Sequence, residues 1–127
     1  MLEPDPHRPP PAFKLEREPA PDGVVLLAMA GEIDLATSGH FRESVEVALG
    51  AGSQAMVLDM AEVTFMDSTM LRELLRAHKD LDASGGRLVL AAAQPAIRRL
   101  LELTGTTGLF ELVPDRDEAL AAVASGE

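Results

Sequence analysis

Three residues whose side chains can do chemistry, Asp67, Ser68 and Thr69, stand together in the segment TFMDSTML at 64–71. The apolar residues before them are typical of a strand, and the leucine-rich residues after them are typical of a helix. An acid and two hydroxyls at such a joint have three interpretations: groups that cap the helix, a nucleophile, or a site of covalent modification. The function depends largely on which of them holds.

Ser68 lacks the partners of a catalytic nucleophile, which needs a base within hydrogen-bond reach. His78 lies further along the same predicted helix, roughly 15 Å away at 1.5 Å rise per residue, and falls on the apolar face. His7 lies in the proline-rich N-terminus and His40 in another predicted helix. The glycines of a G-x-S-x-G elbow are also missing. We therefore expect no enzyme activity.

The sequence has no pattern for a metal or a cofactor, and we expect neither. The histidines have no paired spacing such as H-x-x-x-H, and the acids form no calcium loop. The glycines of GAGS (50–53) and SGG (84–86) lack the Lys-Ser/Thr ending of a phosphate loop. Glu32, Asp34, Asp59 and Glu62 form no further pattern, and since acids near helix starts stabilise the helix dipole, that role accounts for most of them. On local pattern alone, Asp67-Ser68-Thr69 is a helix cap.

The composition limits where the protein acts and what it binds. A chain of 127 residues, 46% of them apolar, is long enough for one domain with a single core. The lack of cysteine excludes disulfides and favours an intracellular location. A formal charge of −10 argues against direct nucleic-acid binding. The apolar runs are too short to span a bilayer, and the N-terminus has no signal-peptide pattern, so we expect a cytoplasmic protein without membrane insertion.

The first half of the chain predicts a tail, a hairpin and a helix. Residues 1–12 hold five of the nine prolines and are interpreted as a proline-rich flexible tail. The alternating segment FKLERE predicts an edge strand, and the apolar run VVLLAMA at 24–30 predicts the buried strand that pairs with it across the turn PAPDG. Thr37 or Ser38 is placed to cap a helix that ends near Gly50. The inner face of that helix would hold Phe41, Val45, Ala48 and Leu49.

The second half repeats the order of strand and helix. AMVLDM (55–60) and RLVLAAA (87–93) predict buried strands, and VTF (63–65) leads into a helix with one apolar face. Pro95 opens a further helix that Gly105 closes, LFELV (109–113) predicts a last strand, and Pro114 begins a final helix. The face of the helix after VTF consists of Leu71, Leu74, Leu75, His78 and Leu81. The prediction is one α/β domain over 13–124, with a mixed β-sheet opened by a hairpin, about four α-helices and a short tail at 125–127.

Three segments resemble a known family. VLDMAEVTFMDSTML and GGRLVLAAAQPAIRRLLELTGTTGLFEL are similar to the STAS domains of bacterial anti-sigma factor antagonists. GEIDLATS resembles the Gly-Glu-Leu-Asp segment that this family has between its second strand and first helix. The resemblance covers about residues 13–124. It implies a STAS-type fold and a phosphorylation-switched regulator of transcription.

The resemblance also implies partners and site residues. In that family the unmodified domain binds an anti-sigma factor that is also a serine kinase, and the sigma factor is released. Phosphorylation of the Ser after the Asp ends the interaction, and a PP2C-type phosphatase reverses it. Carried onto this chain, the phosphorylated residue is Ser68, and Asp34 lies near it and helps to dock the kinase. The remaining partner-binding residues would be Asp67, Thr69, Met70 and Leu71, with Thr69 a less favoured acceptor.

Met70 departs from the family, which usually has Gly two places after the phosphorylated Ser. It either packs in the core or stands exposed as an anchor for a different partner. The second alternative favours a different function, that of a non-phosphorylated STAS interaction subunit of a transporter or signalling scaffold, with Ser68 only a cap. A third class, nucleotide or small-ligand binding by the domain alone, has no phosphate loop to support it. The oligomeric state is left open.

Overall fold

The computed structural model describes residues 13–124, and the tails expected at 1–12 and 125–127 lie outside the described residues. Strands and helices alternate after an opening pair of strands, and a 3-10 turn over residues 107–109 precedes the last strand. The bounds are β1 Phe13–Glu18, β2 Val24–Ile33, α1 Leu35–Gly50, β3 Ala55–Met66, α2 Ser68–Ala83, β4 Arg87–Ala91, α3 Pro95–Leu103, β5 Glu111–Val113 and α4 Arg116–Ala124.

The strands form one mixed sheet in the order β1-β2-β3-β4-β5. β1 runs antiparallel to β2, and all the other neighbours are parallel. The β1–β2 turn is closed by a hydrogen bond of 3.0 Å from the Val24 N–H to the Pro21 carbonyl. Gly23 there has a φ of +83°, which glycine adopts without a steric penalty. The predicted α/β class and the opening hairpin are confirmed, and the carboxyl ends of β2 and β3 lie at the same edge.

Helices α1, α2 and α3 pack on one face of the sheet over a common apolar core. The predicted inner face of α1 is confirmed, with Leu49 at its margin. In α2 the buried set differs from the prediction, because Leu75 and His78 are only half-buried. The residues that α2 buries are Met70, Leu71, Leu74, Ala77 and Leu81. Burial of each large apolar side chain contributes about 1.5–3 kcal/mol, so this set fixes the rotation of α2 and decides which residues of its first turn face outward.

Helix α4 covers the opposite face, where four sheet residues surround Ala119: Leu26, Val57, Val89 and Ala91. The Arg116 guanidinium donates to Glu18 of β1 at 2.6 Å and to Asp59 of β3 at 2.8 Å. These hydrogen bonds, that to Glu18 foremost, raise the pKa of Arg116. Arg116 therefore links the last helix to the first and third strands.

Several boundaries differ from the prediction. β2 extends to Ile33, and β3 is one continuous strand over residues 55–66, although its pairing with β2 shifts register twice. β4 ends at Ala91, because Ala92 takes a φ of +60° that a strand does not contain. β5 begins only at Glu111, since the residues before it form the 3-10 turn. α4 begins two residues after Pro114, where the Asp115 carboxylate accepts from the Glu118 N–H at 2.8 Å.

Candidate functional site

Two strand–helix junctions lie side by side at the carboxyl edge of the sheet. Ile33 at the end of β2 is paired with Met66 at the end of β3. The next residues, Asp34 and Asp67, therefore follow neighbouring strands that run about 5 Å apart. The Asp67 N–H donates to the Ile33 carbonyl at 3.2 Å, which ties the two junctions together. Asp34 is thus brought next to the Asp67-Ser68-Thr69 triplet, although more than thirty residues separate them in sequence.

Asp67 caps helix α2. Its Oδ1 accepts from the Met70 N–H at 3.0 Å, and its carbonyl accepts from the Leu71 N–H at 3.0 Å. The backbone of Asp67 is extended, with a φ of −96° and a ψ of −179°. The carboxylate satisfies one of the amides that have no partner inside the helix. The predicted cap is confirmed, and its side-chain hydrogen bond comes from Asp67.

Helix α1 also begins directly after an aspartate, which corrects the prediction that Thr37 or Ser38 begins it. The helix starts at Leu35, and the Asp34 carbonyl accepts from the N–H groups of Thr37 and Ser38 at 3.0 and 2.9 Å. The Thr37 hydroxyl accepts from the Asp34 N–H at 2.9 Å. Thr37 therefore acts from the third position of the helix back onto Asp34, as in a capping box.

Ser68 is the first residue of α2, and its side chain is exposed. Its hydroxyl makes no hydrogen bond with any residue of the range 13–124, whereas the hydroxyls of Ser38, Ser44 and Ser84 donate to backbone carbonyls. Thr69 beside it is half-buried. Since Asp67 supplies the cap, the Ser68 hydroxyl has no structural task in the described part of the chain. It is free to react at the positive end of a helix dipole.

The histidines in the described range are packing residues. His40 is exposed and stacks on Phe13, with ring centroids 5.7 Å apart, and His78 makes an edge contact with Phe110 at 6.0 Å. Neither forms a hydrogen bond with Ser68 within residues 13–124. Over the same residues no group of three or more His, Asp or Glu side chains could hold a metal ion. The arrangement can accept a group on an oxygen but provides no base to make that oxygen a nucleophile.

Met70 and Leu71 lie in the core, with 0% and 6% of their surface exposed. In this structure Met70 offers a partner no surface and Leu71 very little, and whether either contacts one stays a prediction. Of the two alternatives for Met70, packing in the core is the observed one. Their burial holds the first turn of α2 against the sheet and keeps Ser68 on the outer side.

Two exposed apolar side chains beside the triplet were missed in the sequence. Leu35, the first residue of α1, is 72% exposed, and Phe65, three residues before Ser68, is 49% exposed. The pairing of β2 and β3 shifts register between Gly31 and Glu32, next to the position where Phe65 turns outward. A register shift leaves no mark in an apolar pattern. Large exposed apolar side chains among polar ones are typical of protein contact sites.

One cation, Arg72, lies close to Ser68. Arg72 follows Ser68 by four residues, so the two side chains are neighbours on the same face of α2. Arg72 is exposed and has no ion pair with any residue in 13–124. Asp34 and Asp67 make the remaining surroundings of Ser68 negative.

The fold and the site together define an α/β domain that presents a free serine and two apolar side chains at one sheet edge, as a protein-recognition domain does. The family model of the STAS domain matches residues 18–119, and the chain belongs to that family. The resemblance seen in the sequence is therefore confirmed. Within the described residues, no helix has the length and apolar character needed to cross a membrane.

Similar proteins carry related names. The anti-sigma F factor antagonist of Paenibacillus polymyxa is 29% identical over 106 residues, which are 83% of this chain and 88% of that protein. The crystal structure of an anti-sigma factor antagonist from Mycobacterium paratuberculosis has a TM-score of 0.79 and 31% identity, over 91% of this chain and 97% of that one. The phosphorylated Bacillus cell fate determinant SpoIIAA has a TM-score of 0.71 over 87% of this chain and 99% of that one, and its 22% identity shows the fold alone.

Proposed function

We propose that this chain is an anti-sigma factor antagonist controlled by phosphorylation of Ser68. Unmodified, it binds an anti-sigma factor that is also a serine kinase, and the sigma factor is released. Phosphorylation of Ser68 ends the binding, and a PP2C-type phosphatase restores it. The observation that carries the proposal is the exposed Ser68 hydroxyl, which takes no part in the cap of its own helix.

The proposed contact surface lies around the two joined junctions. Asp34, Asp67 and Thr69 remain in it from the sequence prediction, while Met70 and Leu71 support it from below. Leu35 and Phe65 are added as apolar anchors, since together they offer exposed area next to Ser68. The chain acts in this scheme by binding and does no chemistry itself, which suits a domain in the cytoplasm beside the transcription machinery.

A phosphate on Ser68 would change the surface more than the fold. It adds about −1.5 to −2 charges, and the unpaired amides and dipole of the α2 N-terminus accommodate an anion there. Arg72, one turn further on, can pair with it. Asp34 and Asp67 already make this edge negative, so a partner fitted to a neutral hydroxyl meets repulsion and a desolvation penalty. The switch is local and needs no rearrangement of the sheet.

The test measures by calorimetry the affinity of the purified chain for the anti-sigma factor kinase of the same cells. Wild type and Ser68→Ala should bind with equal affinity, and Ser68→Asp should bind at least tenfold more weakly. The matched control is Ser53→Asp, in the loop before β3 at the opposite edge of the sheet, where the serine hydroxyl makes no hydrogen bond within residues 13–124; it should bind like wild type. Incubation with ATP and the kinase should release wild type and leave Ser68→Ala bound. Equal binding by all four proteins would overturn the proposal.

The alternative function, a STAS interaction subunit that is never phosphorylated, loses the feature that favoured it. That feature was an exposed Met70, and the side chain is fully buried. The alternative would return if the kinase neither bound the chain nor modified Ser68.

A further inference from the structure

An open groove follows the last residues of β3, Thr64 to Met66. β4 ends at Ala91, which pairs with Asp59, so β3 has no strand neighbour on that side beyond Asp59. Helix α3 packs next to this part of β3, and the Gln94 side chain before the helix donates to the Ala61 carbonyl at 2.7 Å. This cleft, the α3 groove, has a volume of about 290 Å³ and lies between the last residues of β3 and helix α3.

The α3 groove is apolar with a basic rim. Its lining includes Phe65 and Met66 from β3, Ile97, Leu100 and Leu103 from α3, and Arg99 at the rim. Leu103 is 72% exposed. Arg99 is exposed and forms no ion pair within residues 13–124. An exposed apolar cleft with an unpaired cation at its rim suits an extended, apolar and partly acidic peptide.

The sheet topology places Phe13, the first described residue of the chain, at this edge of the sheet. β1 is antiparallel to the rest of the sheet, so its first residue, Phe13, lies at the same edge as Ser68. Phe13 pairs with Gly31, and Gly31 pairs with Val63, which puts Phe13 roughly 10 Å from Val63 across two strand spacings. Phe65 is two residues beyond Val63. Residues 1–12, which precede Phe13, therefore start close to the groove.

We infer that residues 1–12 of this chain bind in the α3 groove and cover Phe65. At about 3.1 Å per residue a proline-rich segment of that length extends roughly 37 Å, which is well beyond the distance required. Pro9, Pro10 and Pro11 restrict the backbone of the segment, so that binding in an extended form costs it little entropy. Its two acids, Glu3 and Asp5, outnumber its one arginine, Arg8, and complement Arg99 at the rim of the groove.

The inference does not depend on the proposed function, because it concerns contacts within one chain. Its consequence for the proposed function is competition. A bound segment would cover Phe65, three residues before Ser68, and a partner would have to displace it.

The test uses the full chain. Since the chain has no cysteine, His7→Cys gives a single site for a nitroxide spin label, and broadening of side-chain methyl signals reports which residues the label approaches. The methyl signals of Leu100 and Leu103 should broaden strongly. Leu103→Asp should remove at least half of the broadening at Leu100, and Arg99→Glu should reduce it. The matched control is Leu109→Asp, an exposed leucine outside the groove lining, which should leave it unchanged.

Two other results would overturn the inference. Broadening that fades evenly with distance from Phe13, and that Leu103→Asp does not alter, would mean that the segment does not bind the groove. Broadening that appears only between labelled and unlabelled chains in a mixture would make a second copy the source of the segment. Leu103 is at the surface, so its substitution does not endanger folding, and the amide spectrum of each variant checks this.

Discussion

The first turns of α1 and α2 each follow an aspartate and use their hydroxyls differently. Each helix begins directly after an aspartate, and the two aspartates follow paired residues of β2 and β3. In α1 the hydroxyl is at the third position, on Thr37, where it contacts the N–H, the carbonyl and the carboxylate of Asp34 at 2.9, 3.1 and 3.3 Å. In α2 the hydroxyl is at the first position, on Ser68, and makes no hydrogen bond within 13–124.

In these two turns the position of the hydroxyl separates the structural one from the other. Thr37, at the third position, reaches back to the residue before the helix. Ser68, at the first position, is exposed. In α2 the third position holds Met70, which packs in the core, so the first turn needs no second hydroxyl. Modification of the Ser68 hydroxyl therefore breaks no hydrogen bond among the described residues.

The largest loss of stability is expected from a substitution at Met70, the third residue of α2. Met70→Ala removes a fully buried side chain and should lower the free energy of unfolding by about 2–5 kcal/mol, from lost burial and the cavity left behind. Urea denaturation measures it. Leu35→Ala, an exposed position at the start of α1, is the control and should change the value by less than about 0.5 kcal/mol. A small effect at Met70 would contradict its place in the core.

The two helix starts should show the next largest effects. Asp67→Ala leaves the Met70 amide without its acceptor and should cost about 1 kcal/mol. Thr37→Val keeps the shape of the side chain but removes the hydroxyl that accepts from the Asp34 N–H, and a loss of about 1 kcal/mol is expected. Thermal unfolding of the two variants and of wild type gives the comparison. A Thr37→Val protein as stable as wild type would contradict the structural role of that hydroxyl.

Arg72 should contribute to stability only when Ser68 is phosphorylated. With a phosphate on Ser68, Arg72→Ala should lower the free energy of unfolding by about 0.3–1 kcal/mol, because a charge pair one turn apart is lost near the helix start. Without phosphate the same substitution should have no measurable effect. Arg76→Ala, one turn further from Ser68, serves as the control. An equal loss in both forms would show that Arg72 acts on the helix rather than on the phosphate.

The smallest effect on stability is expected at Ser68 itself. Ser68→Ala removes a hydroxyl without partners and should change the free energy of unfolding by less than about 0.5 kcal/mol. The same denaturation experiment measures it. A loss as large as that of Asp67→Ala would mean that Ser68 shares the cap, and the contrast with Thr37 would disappear.

Much of this could be predicted from the sequence. Apolar periodicity, the glycines at turns and the DST triplet are local signals, and they predicted the hairpin, the order of elements and the capping acid next to Ser68. The start of α1 was misplaced because two hydroxyl residues offer the same capping chemistry as the aspartate before them.

The surface around the site was harder to predict. The exposure of Phe65 accompanies a shift in strand pairing, and the burial of Met70 depends on how α2 rotates over the sheet. Both depend on contacts between distant segments, which a pattern along one chain does not contain.

Phosphorylation of Ser68 is tested by mapping phosphate on the protein isolated from its own cells, with intact-mass and peptide mass spectrometry. One phosphate is expected on Ser68, absent from the Ser68→Ala protein and removed by a PP2C-type phosphatase. A phosphate found only on Thr69 or on another serine, or none in cells that contain the active kinase, would contradict it.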